Sequence, residues 1–162
     1  MWRSLLACAV FGLAFSVIGF AHADWQYTRW GMTEAEVVKA SRGQAVVNSQ
    51  ASKHSTEDEI AKLTAPYSSG EFAFDARFMF NRGSDKLTGV RLSLSTPAKC
   101  ISLYHELVAK YGKPLSESNT RGMRIGKWQD RTNNLTIALL DISQLSCDVI
   151  YGPLTSANNK GL

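Results

Sequence analysis

Between residues 72 and 80 every second position is apolar, and nearly all of these positions are phenylalanine. They are Phe72, Phe74, Ala76, Phe78 and Phe80. Because side chains alternate across a β-strand, this period of two predicts a strand with one aromatic, buried face and one solvated face. A helix would place these five side chains on two opposite sides and not on one, so the pattern predicts a strand in this part of the chain.

A β-strand is stable only when it pairs with neighbouring strands, and the sequence predicts several of them. The turn residues Asn81–Asp85 are followed by an alternating segment that ends at Leu94, which predicts an antiparallel hairpin with the phenylalanine strand. Three further strands are predicted at Met123–Arg131, Leu135–Ile142 and Ser146–Tyr151. Short turns between neighbouring strands indicate an antiparallel sheet.

Two main helices are predicted from their end signals. Thr33 and Glu36 have the spacing of a capping box, in which each side chain bonds the backbone of the other residue at a helix start. The longer helix begins at Pro97 and runs to about Tyr111, and Gly112 ends it because glycine adopts the positive φ of a helix terminus.

Two segments between these elements are interpreted from weaker signals. Thr56–Glu59 has the spacing of a second capping box, and Ile60 and Leu63 are three residues apart, so a short helix is predicted that ends at Pro66. Leu115–Gly122 is polar and is predicted to be a loop.

The predicted elements define the fold class. We expect an α+β domain with an antiparallel sheet of about five strands and two main helices packed on one face. Each half of the chain contains a helix ending near a glycine and then a hairpin, so a degenerate helix-hairpin repeat is one interpretation of the order. The halves share little residue identity, which leaves duplication open.

The first 23 residues have the composition of a secretory signal peptide. One basic residue, Arg3, precedes an almost wholly apolar stretch, and Ala21-His22-Ala23 matches the small residues that signal peptidase requires. We expect cleavage before Asp24, a single α+β domain over residues 24–157 and a flexible tail over 158–162. The alternative is that the segment is kept as a membrane anchor.

Removal of the signal would leave two cysteines, Cys100 and Cys147. In an oxidising compartment an even pair of cysteines is interpreted as a disulfide, and buried free thiols are the alternative. Cys147 and Val149 share a face of the last strand, and Cys100 lies at the start of the longer helix. The predicted bond therefore attaches that helix to the sheet.

The remaining residues show no catalytic or metal-binding constellation. Outside the signal only His54 and His105 are available, and zinc requires three or four ligands at compatible spacing. We therefore expect no metal, no cofactor and no enzymatic activity. The alternative is an envelope enzyme whose site joins His105 to Asp141 or Asp148.

One stretch of the sequence is rich in basic residues. Arg121, Arg124, Lys127 and Arg131 lie within eleven residues and make a candidate surface of the kind that binds anionic lipid, glycan or nucleic acid. The alternative is an ordinary solvated hairpin. The net charge of the whole chain is only +4, and loss of Arg3 lowers it to +3, a mild excess that permits an anionic partner without favouring one. No nucleic-acid partner is expected.

Two apolar residues fall on the solvated side of the predicted sheet. Leu140 and Ile150 alternate with the core positions of their strands, which favours either a surface for a partner or a position beneath a loop.

Several of these features resemble known exported bacterial proteins. The Trp30-Gly31-Met32-Thr33 helix opening and the strand pair at 78–90 resemble those of the outer-membrane assembly lipoproteins of the BamE type and of the β-lactamase-inhibitor-like fold. The full layout, with Cys100, Tyr111-Gly112-Lys113-Pro114, Trp128 and Cys147, is similar to that of a family of small secreted bacterial proteins. The resemblance implies a fold used for protein contact.

These observations favour one function. We expect a periplasmic or secreted, non-enzymatic binding or protein-interaction module, with an envelope protein or an anionic surface as its partner and no stable membrane insertion after signal cleavage. The envelope enzyme and the binder of anionic surfaces are the alternatives.

Overall fold

The computed structural model describes residues 24–143 and 145–154, so the predicted signal and tail lie outside the described residues. The elements in chain order are α1 (Glu34–Ala40), β1 (Val46–Val47), β2 (Glu59–Ser69), β3 (Phe72–Asn81), β4 (Leu87–Leu94), α2 (Cys100–Tyr111), β5 (Ser116–Thr120), β6 (Met123–Asp130), β7 (Leu135–Ile142) and β8 (Ser146–Pro153). Two 3-10 turns, Ala51–His54 and Pro97–Lys99, complete the regular structure.

The prediction of about five strands with two main helices is wrong. The eight strands form one antiparallel sheet in the order β1-β2-β3-β4-β8-β7-β6-β5, and the helices contain only 7 and 12 residues. The sheet is larger than predicted because β1 adds a short edge strand and because two segments interpreted as a helix and a loop are the strands β2 and β5. The fold is therefore dominated by the sheet.

A β-bulge explains the incorrect helix at residues 56–66. The pairing of β2 with β3 shifts between Ala61 and Leu63, so Lys62 is an extra residue and Ile60 and Leu63 reach the same face of the sheet. A spacing of three on one face is also what a helix produces. Pro66 is exposed, and it lies beyond the residues of β2 that pair with β1. At this position β2 is an edge strand, so a proline, which has no N–H, leaves no carbonyl of a neighbouring strand without its hydrogen bond.

The strand β5 is wrongly predicted as a loop for a different reason. All five of its residues are exposed, and none is apolar. It is an edge strand that pairs with β6 alone, from Ser116 opposite Lys127 to Thr120 opposite Met123. Main-chain hydrogen bonds therefore hold this strand, and they leave no hydrophobic signature in the sequence.

The other predicted elements are confirmed. The Thr33–Glu36 capping box is formed in both directions at the start of α1. The β3–β4 hairpin has the aromatic face that was expected, with Phe74 opposite Leu94. The longer helix ends at Gly112, whose φ is +80°.

The core lies between the helices and one face of the sheet. Its largest fully buried side chains include Phe78, Phe80, Leu63, Ile137 and Leu139, from the three strands β2, β3 and β7. The segment before α1 contributes Trp25, whose ring meets that of Phe78 edge-on at 5.9 Å. The long helix contributes Leu103 and Leu107. Burial of this apolar surface is the main term that stabilises the fold.

The predicted disulfide is confirmed. Cys100 and Cys147 are bonded, with their Cα atoms 5.7 Å apart, and both residues are almost fully buried. The bond joins the first residue of α2 to β8. It therefore fixes the longer helix against a strand near the centre of the sheet.

The strand order is symmetric about the pair formed by β4 and β8. The first half of the chain is a helix followed by four strands, and so is the second half. Each half sheet runs outward from the central pair to its own first strand. This unit differs from the helix-hairpin unit that the sequence suggested.

Candidate binding face

The sheet has one face that is not covered by the helices. We call it the open face, and it consists of the side chains that alternate with the core positions of β2–β8. Its central members are Asp75, Arg77, Met79, Arg91, Ser93, Ile125, Lys127, Ala138, Leu140, Asp148 and Ile150. The 3-10 turn Ala51–His54 packs against β2 at one side of this face.

A hollow of about 530 Å³ lies on the open face. Its floor includes Gly89 and Gly152, which lie on the neighbouring central strands β4 and β8. A Cβ atom at Gly89 would lie 3.0 Å from the carbonyl oxygen of Tyr151, and one at Gly152 would lie 3.4 Å from Oγ1 of Thr136. Because neither glycine carries a side chain, the space above the backbone of β4 and β8 stays open and forms the hollow.

The hollow lies over the central strands of the open face. It is lined by Glu59 of β2 and by Ser116 of β5. These strands are six inter-strand spacings apart, about 29 Å on a flat sheet. The Glu59 side chain reaches inward, because its carboxylate accepts a hydrogen bond from the hydroxyl of Thr88 on β4.

The walls of the hollow combine apolar and polar groups. Met79, Ala138 and Ile150 are apolar, and Lys127 and Gln129 are exposed at the side of β6. Such a mixture is typical of surfaces that bind another molecule, because apolar area contributes affinity and placed polar groups orient the ligand.

Charged residues lie beside the hollow on β3 and β4. Arg77 and Arg91 are directly opposite each other in the antiparallel pairing. The Nε of Arg77 donates to Oδ2 of Asp75 at 2.9 Å, and the hydroxyl of Thr64 donates to the other oxygen of that carboxylate. Both oxygens of Asp75 are therefore engaged.

His54 is near enough to this pair of arginines for their charges to act on its imidazole. Burial lowers the pKa of His54, and the positive charge of Arg77 lowers it further. Its Nδ1 is buried and has no hydrogen-bond partner among the described residues. The imidazole is therefore held neutral at pH 7 and leaves one polar atom unsatisfied.

The four residues of the predicted basic surface are not brought together. Arg121 and Arg131 lie in the turns at opposite ends of β6, about 30 Å apart along an extended chain. Lys127 is on the open face, whereas the guanidinium of Arg124 lies 5.0 Å from the ring centre of Tyr104 on the helix side. These positions do not make one continuous patch.

Of the residues proposed for an envelope enzyme, His105 and Asp148 lie on opposite sides of the sheet, whereas Asp141 is on the helix side of β7. His105 is exposed on α2, and its ring meets Tyr104 edge-on at 5.7 Å. Asp148 faces the other side of the sheet, where it accepts a hydrogen bond from Ser93. Within residues 24–143 and 145–154, no group of three or more metal-ligating side chains occurs.

The hollow was missed by sequence reasoning, although a signal for it exists. Gly89 and Gly152 each interrupt an otherwise strand-like segment, and an isolated glycine in a strand marks a bulge or a place of close approach. Only the pairing of β4 with β8 shows that the two interruptions are adjacent.

Comparisons of the chain with models of protein families, with curated proteins and with solved structures find no match. The resemblance to small secreted, BamE-type and β-lactamase-inhibitor-like proteins therefore stays a prediction. In the part of the chain that the structure describes, neither helix has the length and apolar character needed to span a membrane.

Proposed function

We propose that this protein is an exported, non-enzymatic binding module that holds another protein against its open face. The observation that carries the proposal is the concave hollow between Gly89, Gly152 and the apolar side chains of β7 and β8. The two helices and the disulfide lie on the opposite side, so they can support the sheet without obstructing this surface.

The size of the open face is suitable for a protein partner. Its width of about 29 Å and a strand length of about 17 Å give roughly 500 Å² in projection. A standard protein interface buries about 800 Å² on each side, which is the same order. Leu140 and Ile150 are half-buried at the centre of the face, where anchoring contacts concentrate in such interfaces.

The disulfide supports the exported location. Stable disulfides persist in oxidising compartments, and this one is buried in the core. The signal-like first 23 residues support the same location. Export to the periplasm or the medium is the location that we propose.

Site-specific photo-crosslinking in the producing cells tests the proposal. A photoreactive amino acid is placed at Leu140 on the open face, and the matched control carries it at Glu106, which is exposed on α2. We expect a discrete crosslinked protein from position 140 and none from position 106. The same adduct from both positions, or none from position 140, would contradict a binding role for the open face.

The same experiment separates other occupants of the face. An adduct of twice the protein's own mass, together with a dimer in light scattering, would show that a second copy covers the face. A crosslink to lipid alone would replace the protein partner with the membrane surface. Either result would overturn the proposal as stated.

A further inference from the structure

One row of open-face side chains crosses five strands in register. It consists of Arg77, Arg91, Ile150, Ala138 and Lys127, on β3, β4, β8, β7 and β6. The row therefore has two cations at one end, two apolar side chains in the middle and one cation at the other end. Arg91 and Lys127 are three inter-strand spacings apart, about 14 Å.

Two cations of this row, Arg91 and Lys127, form no ion pair with the described residues. Arg77 has Asp75, but neither Arg91 nor Lys127 has a carboxylate within 4.0 Å in residues 24–143 and 145–154. Both oxygens of Asp75 are already engaged. Like charges directly opposite each other in an antiparallel pair are destabilising. Because Asp75 already pairs with Arg77, Arg91 is the member of this pair that would gain from an external anion.

The half-buried position of Arg91 strengthens this argument. A cation that is partly removed from water loses hydration and gains most from a paired carboxylate. The guanidinium group can bind a carboxylate through two parallel hydrogen bonds. A small inorganic anion such as chloride cannot form this two-point contact.

We infer that the open face recognises an extended protein segment with two carboxylates four residues apart and an apolar side chain midway between them. The inference rests on the proposed function and specifies its partner. In an extended chain, residues i, i+2 and i+4 point to the same side and span about 14 Å. The two carboxylates would pair with Arg91 and Lys127, and the apolar side chain would lie over Ile150 and Ala138.

A blocked peptide, Ser-Glu-Thr-Leu-Thr-Glu-Ser, is the probe. Its isomer Ser-Glu-Leu-Thr-Glu-Thr-Ser has the same composition and charge, but its glutamates are three residues apart and point to opposite sides. Binding to the mature protein is followed by NMR, through the Nε–Hε signals of the arginines and the backbone amide of Lys127. We expect saturable shifts at Arg91 and Lys127 with the first peptide and at least fivefold weaker binding of the isomer.

Charge-removing variants complete the test. Arg91→Ser and Lys127→Ser should each weaken binding of the first peptide about tenfold, the scale of one charge-assisted hydrogen bond. Arg131→Ser removes the same charge from a turn away from the face, and it should change binding less than twofold. The melting temperature of each variant is measured to check that it is folded. We expect little change, because all three positions are partly or fully exposed.

Several results would overturn the inference. Equal binding of the two peptides, an equal loss in Arg131→Ser, or no shift of Arg91 at 20-fold peptide excess over about 1 mM protein would each do so. Binding to phosphatidylglycerol vesicles that needs Arg91 and Lys127, without peptide binding, would assign the row to lipid. If crosslinking at Leu140 succeeds while the peptide test fails, the binding role stands and only the charge pattern is wrong.

Discussion

Replacement of Cys100 and Cys147 by alanine, alone and together, measures what the disulfide contributes to stability. The two residues are 47 apart in the sequence, so the bond closes a long loop in the unfolded chain. The loop-entropy relation gives a loss of about 4 kcal/mol when a loop of this size is opened. For a domain of this length that loss lowers the melting temperature by about 10–20 °C.

Reduction of the unmodified protein separates the crosslink from the packing of the sulfur atoms. Both cysteines are buried, so alanine also removes core volume, whereas reduction keeps both sulfur atoms in place. Thermal unfolding is therefore followed by circular dichroism with and without reductant. We expect reduction to cause most of the decrease in the unmodified protein and no change in the double variant.

The single variants provide a further check, because either substitution opens the same loop. Each single variant should lose nearly as much stability as the double variant, because removing either cysteine already breaks the one disulfide. Two free thiols in the unreduced, denatured protein would refute the bond. A melting temperature unchanged by reduction would refute the calculated contribution.

The remaining predictions concern the chain start and the turn after β6. Mass spectrometry of the exported protein should find Asp24 as the first residue, and an intact first methionine in the membrane fraction would show an anchor instead. The side chain and backbone N–H of Asn133 donate to Asp130 and lower the pKa of that carboxyl. This depressed pKa stabilises the fold above the pKa of the unfolded carboxyl, about 3.9, and the contribution is lost as the pH falls through the folded value. Asn133→Ala should therefore lower the melting temperature by a few degrees at pH 7 and by little at pH 2, and an equal decrease at both would contradict the assignment.

Much of the second half of the fold could be predicted because its strands have a clear inner and outer side. In β7 the core residues Leu135, Ile137 and Leu139 alternate with outward residues, and Trp128 and Val149 mark the core side of the strands on either side. Burial imposes this alternation directly on the sequence. The disulfide could be predicted because only two cysteines lie outside the predicted signal.

The errors arose where the local pattern does not report the tertiary environment. The bulge at Lys62 makes β2 imitate a helical spacing, and Thr56 accepts a hydrogen bond from the backbone N–H of Glu59 at 3.1 Å, half of a capping box. The signal at Thr56 was therefore real, but a strand follows it. In β5 no residue is buried, so no periodicity existed to be found.

The candidate site was the least predictable part. Arg91 and Lys127 are far apart in the sequence and share a row only because β8 lies between β4 and β7. Strand order is a property of long-range pairing, and the local composition around either residue does not specify it. The signals in the sequence that pointed to this face were the apolar residues Leu140 and Ile150 on its side of the strands and the isolated glycines Gly89 and Gly152.

The position of β8 also determines how the chain can assemble. The strand β8 lies at the centre of the sheet, between β4 and β7. Its pairing with β4 joins residues far apart in the sequence, such as Val90 and Tyr151. The two half sheets therefore have no direct pairing until residues 146–153 are available, and folding depends on closure of a long loop. Loss of β8 would therefore separate the strands β1–β4 from the strands β5–β7. It would also remove the central strand of the open face.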